Sequence, residues 1–291
     1  MTHGPGRLAL ITGAAGGIGQ AVGARLARQG YRILAVERDQ ELADKAVTGL
    51  VGRDATAAAT AIACDLSDAA SVALLGQRVE TEWADQLDLV FLNAGVIVPG
   101  DAVDTSAAQL RLQLDVMLVS VAELAGCAAR SMTRRGSGHI VATVSMGGIL
   151  ALPGSAAYSA AKAGLRAYLA ALRTELHGTG VAVSGIYPSA VDTPMLVHEA
   201  THDGSLLNFF GTVSTPDDVA DVFERAQRRR RLEHYLPYGD SVMCRFLEVF
   251  PWLVPPILAP AEALGRRGRA KYLARKGISL IPPASERQGV R

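Results

Sequence analysis

Short apolar runs alternate along this chain with longer stretches in which apolar residues recur every three or four positions. A compact apolar run bounded by turn residues suits a strand buried on both faces, and a recurrence near 3.6 suits a helix with one buried face. Strands are predicted at residues 7–12, 32–36, 60–64, 87–92, 139–144, 182–186 and 233–236. Helices are predicted at 20–30, 69–83, 106–132, 155–177 and 216–229. Such alternation with short links predicts an α/β fold, a doubly wound parallel sheet covered on both faces. The 155–177 helix is alanine-rich and apolar nearly all round, which predicts burial on more than one side and a subunit interface. Residues 189–214 have weak periodicity and are expected to form a long mobile loop serving as a lid.

The chain has 291 residues, 49% of them hydrophobic, enough for one large domain with a substantial core. Cys64, Cys127 and Cys244 are widely spaced and suggest neither a disulfide framework nor a metal knuckle. The opening Met-Thr-His-Gly-Pro-Gly lacks a charged-then-apolar leader pattern, so a reducing cytoplasm is expected. Net charge is +1, but 14 basic and 5 acidic side chains fall from Arg225 onward, against 15 and 23 before it. The basic run at 228–231 has no aromatic reading surface around it, so a solvated helix end is expected and nucleic acid is not a predicted partner.

Near the C-terminus, residues 246–260 are strongly apolar but interrupted by Glu248 and four prolines, which excludes a spanning helix. A basic stretch at 266–276 follows. A catalytic unit is therefore expected over 1–240 and a C-terminal extension over 241–291. The extension is expected to cap a substrate cleft or meet another subunit, with contact at an anionic membrane surface as the alternative.

The chemistry concentrates in a few places. Tyr158-Ser-Ala-Ala-Lys162 sets a phenol and an ammonium one helical turn apart, with Ser145 thirteen residues earlier. A free tyrosine titrates near ~10, and a fixed positive charge beside it is expected to lower that value toward neutrality. Serine orienting a substrate oxygen while the phenol gives or takes its proton is an apparatus for carbonyl/alcohol interconversion. Such chemistry needs a hydride carrier. Upstream, the 7–12 strand runs into Gly13-Ala-Ala-Gly-Gly17-Ile-Gly19 and then a helix, the setting of a dinucleotide turn with its pyrophosphate on the helix N-terminus. Glu37, after the second strand, is placed to accept from the adenosine ribose and to repel a 2′-phosphate; Arg38 pulls the other way, and NAD is favoured over NADP. His198-Glu-Ala-Thr-His202 satisfies a zinc pattern, but that pattern needs a stable helix and a third ligand, and no metal is expected.

Five stretches in order resemble the short-chain dehydrogenase/reductase family over about residues 7–240, and the resemblance implies a Rossmann-type fold. Residues 12–19, with Thr12, Gly13, Gly17, Ile18 and Gly19, are similar to its T-G-x-x-x-G-x-G cofactor turn. Asp65 with Leu66 resembles the acidic adenine contact, and Asn93, Ala94 and Gly95 its N-A-G element. Ser145, Tyr158 and Lys162 match the catalytic serine, tyrosine and lysine, the last also implied to hold the nicotinamide ribose. Pro188, Val191 and Thr193 match its P-G-x-V-x-T segment beside the nicotinamide, with Ser189 in place of glycine. One departure matters more. Where the family has an asparagine that holds a helix distortion and a relay water, this chain has Met117. The resemblance implies an NAD(P)-dependent oxidoreductase of lipophilic secondary alcohols or ketones, assembled as a homodimer or homotetramer. Met117 sets the alternative, a catalytically weakened dinucleotide-binding regulator or membrane-associated scaffold.

Overall fold

The computed structural model describes residues 7–54, 57–202 and 204–278. The opening six residues, Asp203 of the expected lid and the end of the extension beyond 278 lie outside the described residues. In chain order the elements are β1 (Leu8–Thr12), α1 (Gly17–Arg28), β2 (Arg32–Glu37), α2 (Gln40–Arg53), β3 (Ala59–Ala63), α3 (Ala69–Thr81) and β4 (Leu87–Leu92). Then come α4 (Ala107–Leu114), a π turn (Asp115–Val119), α5 (Ser120–Arg135), β5 (Gly138–Thr143), α6 (Ala156–Glu175) and β6 (Val181–Pro188). The chain continues with α7 (Pro194–Thr201), a 3-10 turn (Leu206–Phe209), α8 (Pro216–Arg229), β7 (Glu233–Leu236), α9 (Tyr238–Val249) and α10 (Val254–Lys276).

The strands form one parallel sheet in the order β3-β2-β1-β4-β5-β6-β7. Alternate residues of each strand feed opposite faces. Leu8 and Leu10 enter the core shared with α3, α5 and α6, while Ala9 and Ile11 enter the core shared with α1, α2 and α8. Phe91 of β4 meets Phe223 of α8 edge-on at 4.9 Å in the second core. Because winding reverses between β1 and β4, the loops at the carboxyl ends of these strands diverge and leave a crevice.

Several expectations need correction. Helix α2 was absent from the predicted elements, although Asp39 caps it by accepting from the Leu42 N–H at 2.9 Å. Residues 189–214 are not one irregular loop: Thr193 caps α7 and a 3-10 turn follows. Helix α6 buries one side within the chain, whereas Ala160, Ala163, Ala167 and Ala171 make an exposed stripe on the other. The four prolines do not break the extension into coil. Pro255 and Pro256 sit in the first turn of α10, where their missing N–H groups cost nothing, and only Pro260 lies inside the helix. The Ala107–Arg135 run is long and apolar enough to cross a membrane by composition, but half of its apolar window is buried in the protein.

Two glycines seat α10. Gly265 and Gly268 lie one turn apart, and a Cβ on either would come within 2.2 Å of the Leu206 carbonyl or 1.9 Å of the Phe209 carbonyl. That close approach lets Tyr272 and Leu273 pack with Phe209, Leu196 and Ala200 in a third apolar cluster. The Tyr272 hydroxyl and Lys276 Nζ both reach Asp192 at 2.7 Å, anchoring the helix to the loop after β6. Burial opposes ionisation of Asp192, but these two hydrogen bonds outweigh it and hold the carboxyl below its usual range. At the other end Arg166 of α6 bridges Glu233 of β7 at 3.1 Å and Glu248 of α9 at 2.9 Å. Gly268→Val should therefore unseat α10 without unfolding the sheet. Hydrogen exchange is expected to rise about tenfold or more in α10 and stay unchanged in β1, β4 and β5; unchanged exchange in α10 would contradict this packing.

Candidate active site

A cleft of about 1080 Å³ opens at the crevice between β1 and β4, and most of the predicted site residues line it. Its inner end is the glycine turn. Gly13 has φ +67°, and a Cβ there would sit 2.9 Å from the Ala94 Cα, so the turn requires glycine. Gly17 and Ile18 line the cleft at the N-terminus of α1, whose first-turn amides have no intrahelical acceptor. Glu37, at the end of β2, also lines it and accepts from the Ala15 N–H at 2.7 Å. Arg38 borders the same end, but its exposed guanidinium pairs with Asp39 at 3.3 Å. Asp65 and Leu66 complete this side, with Asp65 Oδ1 held by the Ser67 N–H at 2.9 Å and hydroxyl at 2.7 Å.

Two predicted cofactor residues stand behind the wall rather than in it. Thr12 is buried, and its hydroxyl accepts from the N–H groups of Asn93 and Ala94 at 3.0 and 3.1 Å. Gly19 is there for packing, since a Cβ would lie 2.2 Å from the Gly13 carbonyl. Asn93 ties three strand ends together: its Nδ2 donates to the Thr12 and Gly13 carbonyls at 3.4 and 3.3 Å, and its Oδ1 accepts from Thr143 at 3.0 Å. Asn93, Ala94 and Gly95 line the cleft floor, and Pro188, Val191 and Thr193 its facing side. This set fits a dinucleotide: a glycine cradle at a helix N-terminus and a carboxylate at the end of β2, on one continuous cleft.

The chemical centre lies between these walls. Ser145, Tyr158 and Lys162 all line the cleft. Ser145 and Tyr158 converge on Gly147, where an added Cβ would be 3.4 Å from Ser145 Oγ and 3.3 Å from Tyr158 Cε1. Ser145 Oγ accepts from the Gly147 N–H at 3.0 Å, which leaves its own proton free to be donated. Lys162 is buried at 3% exposure; its Nζ donates to the Thr143 carbonyl at 2.7 Å and lies 5.8 Å from the Tyr158 ring centre.

The electrostatics differ from expectation. Burial pushes the Tyr158 phenol up to about 12, against a hydrogen bond with Ser145 that works downward, and the charge of Glu199 raises it further. Lys162 is itself pushed down to about 7 by burial. The lysine therefore does not pull the phenol toward neutrality here, because desolvation acts on both groups and half of the ammonium charge is gone near pH 7.

The π turn at Asp115–Val119 is present although Met117 replaces the expected asparagine. Met117 is fully buried, and its Sδ would lie 3.6 Å from a Cβ on Gly95. The distortion is thus a backbone feature that the thioether packs beneath. His198 to Thr201 lie in α7 rather than in a loop, and His202 is the residue that ends the helix, with the two rings 4.2 Å apart. Glu199, however, is bonded by Asn208, and among the described residues no group of three or more His, Cys, Asp or Glu is placed to hold a metal.

Sequence reasoning missed several cleft residues. Leu42 and Lys45 of α2, Glu199 of α7, Asn208, and Met243, Leu247, Ile257 and Leu264 of the extension all face the cleft. The i, i+3 glycines at 265 and 268 were the available sign that α10 would press against another segment.

Lys162 makes stability depend on pH. Its folded value of about 7 lies below its ordinary 10.5, so the unfolded chain binds the extra proton between these limits. Lys162 should therefore add stability to the cofactor-free protein as pH increases from about 7, and Lys162→Met should lose that contribution; above about 9 the three buried thiols, raised to about 11, work the other way in both proteins. Urea unfolding between about pH 7 and 9 checks it; the same slope in both proteins would contradict the burial of this amine.

Residues 7–204 match the family described as short chain dehydrogenase. A ketoacyl reductase, HetN, from Nostoc is 31% identical over 234 residues, covering 80% of this chain and 79% of that protein. A 1-deoxy-11-beta-hydroxypentalenate dehydrogenase from Streptomyces exfoliatus is 35% identical over 193 residues, covering 65% of this chain and 69% of its own length. Among solved structures, a short-chain dehydrogenase from Sphingobium yanoikuyae in complex with NADPH superposes with a TM-score of 0.74 at 24% identity, covering 85% and 94% of the two chains. A bulky-bulky ketone specific alcohol dehydrogenase from Comamonas testosteroni gives 0.69 at 23% identity and covers 98% of this chain and 99% of its own.

Proposed function

The chain belongs to the short-chain dehydrogenase/reductase family, and from that premise we propose that it interconverts lipophilic secondary alcohols and ketones through Ser145, Tyr158 and Lys162. Its class is an NAD(P)-dependent oxidoreductase acting on CH–OH groups. The observation that carries the finer reading is the meeting of a proton-bearing phenol, a serine hydroxyl and a buried amine in one cleft with the glycine cradle.

When bound, the nicotinamide supplies or accepts the hydride. Ser145 donates a hydrogen bond to the substrate oxygen and fixes its position. Tyr158 gives the proton that the oxygen needs as a ketone becomes an alcohol, and takes it back in the reverse direction. Lys162, anchored by the Thr143 carbonyl, holds the nicotinamide ribose hydroxyls and keeps that proton path polar. A phenol near 12 is protonated at neutral pH, the form that can give its proton to a ketone oxygen.

The substrate half of the cleft supports a lipophilic ligand. Met195, Leu196, Leu207, Phe210, Leu247 and Ile257 face it, and α9 and α10 roof it. The names of the ketoacyl reductase, the pentalenate dehydrogenase and the bulky-ketone enzyme are in keeping with this reading. We favour NAD because the Glu37 carboxylate is fixed beside the turn, while Arg38 is already paired with Asp39. Self-association belongs with the same proposal, the exposed alanine stripe of α6 offering a flat face to a second copy.

Tyr158→Phe is expected to retain cofactor affinity and lose turnover of hydrophobic ketones by roughly a thousandfold or more; followed by nicotinamide absorbance, unchanged turnover would remove the mechanism. Alcohol oxidation should accelerate with rising pH, about tenfold per unit below the phenol's pKa, while reduction stays level through neutrality. A pH–rate profile flat in both directions would contradict that assignment. Calorimetric titration should give tighter binding of NADH than NADPH, with Glu37→Ala narrowing the gap; a tighter NADPH complex in the unaltered protein would reverse the preference.

A further inference from the structure

The substrate half of the cleft is mostly apolar, and two carboxylates line it, the half-buried Asp240 of α9 and Glu199 of α7. Glu199 is the buried one, at 7% exposure, in a wall shared with Leu207, Met243 and Leu247. Oε2 of its carboxylate accepts a hydrogen bond from Asn208 Nδ2 in the neighbouring 3-10 turn. Among the described residues nothing donates to its other oxygen. Gly204 closes against the Glu199 backbone, where an added Cβ would meet the Glu199 Cβ at 2.6 Å, so the side chain is held from behind as well. The carboxyl also lies close enough to the chemical centre for its charge to act on the Tyr158 phenol. That second oxygen is not among the fully buried unpartnered atoms of the described residues, so it is open to the cleft, where a ligand's donor can take the place of water.

We propose that Glu199 is a substrate-anchoring residue, accepting a hydrogen bond from a second hydroxyl on an otherwise lipophilic ketone whose carbonyl oxygen lies between Ser145 and Tyr158. Asn208 is then the positioning residue that aims the free oxygen into the cleft. The inference rests on the ketone-reductase reading and narrows it: the substrate is a hydroxyketone, and its product a diol. A purely structural part for the Glu199–Asn208 pair, latching α7 to the 3-10 turn, makes a different prediction. It would weaken every ligand alike when removed.

The test uses methyl ketones of increasing chain length and their counterparts with a terminal hydroxyl. Binding is measured by calorimetry on the protein saturated with NAD+, where a ketone has no hydride to accept. Above the value of about 7 to which burial raises Glu199, the hydroxyketone of best chain length is expected to bind about tenfold tighter than its parent, the worth of one hydrogen bond to a carboxylate. Glu199→Leu should bring that ratio to about one while the parent ketone stays within about threefold of its original affinity. Glu199→Gln, which can still receive the Asn208 bond, guards against a folding failure and should reduce the ratio at least threefold. No preference at any length in the unaltered protein, a preference surviving in Glu199→Leu, or equal loss for both ligand series would overturn the proposal. Reduction of the same ketones with NADH or NADPH is scored separately. Failure there counts against the ketone-reductase reading, while the binding ratio decides Glu199 on its own.

Discussion

The interaction on which the rest depends is the burial of the Lys162 ammonium against the Thr143 carbonyl, 2.7 Å away at the end of β5. An amine taken out of water needs compensation, and here the sheet provides it through a backbone oxygen at a strand end. The same strand end is braced sideways, because Thr143 donates to Asn93, and Asn93 in turn holds the Thr12 and Gly13 carbonyls. A single polar tie therefore runs from the proton-transfer centre to the glycine turn. It links the two halves of the chemistry through the ends of β1, β4 and β5.

Around this tie the protein divides its labour. The parallel sheet and its reversal at β1 and β4 make the crevice, and the two apolar cores hold it rigid. The extension supplies the roof. Helices α9 and α10 meet at 106° and are fastened by Arg166 at one side and Asp192 at the other. Phe246 of α9 and Trp252 in the turn between the two helices remain exposed away from the cleft, so the roof carries apolar surface outside as well as in.

Much of the sheet was legible because buried strands leave nearly unbroken apolar runs, as in the predicted 7–12 and 87–92 strands, which correspond to β1 and β4; the half-buried edge strand β7 also falls at the predicted 233–236. The site was legible where spacing carries chemistry, as in Tyr158, Lys162 and the glycine turn. Helix α2 was not, since its buried residues are Ala43, Ala46 and Leu50 while Val51 points outward, and two alanines give little contrast. The segment after β6 hid α7 because an eight-residue helix starting at Pro194 is too short to establish a period. The protonation behaviour was legible only in part. Sequence places an amine near a phenol, but it does not reveal that burial would act on both and outweigh their attraction.

The central claim is that Tyr158 stands in this cleft as a protonated phenol, held so by desolvation. The most direct measurement is the titration of its ring carbon in protein labelled with carbon-13 at the tyrosine Cζ, assigned by its absence in Tyr158→Phe. The account predicts a midpoint near 12, clearly above that of an exposed tyrosine. A midpoint at or below 10 would contradict it.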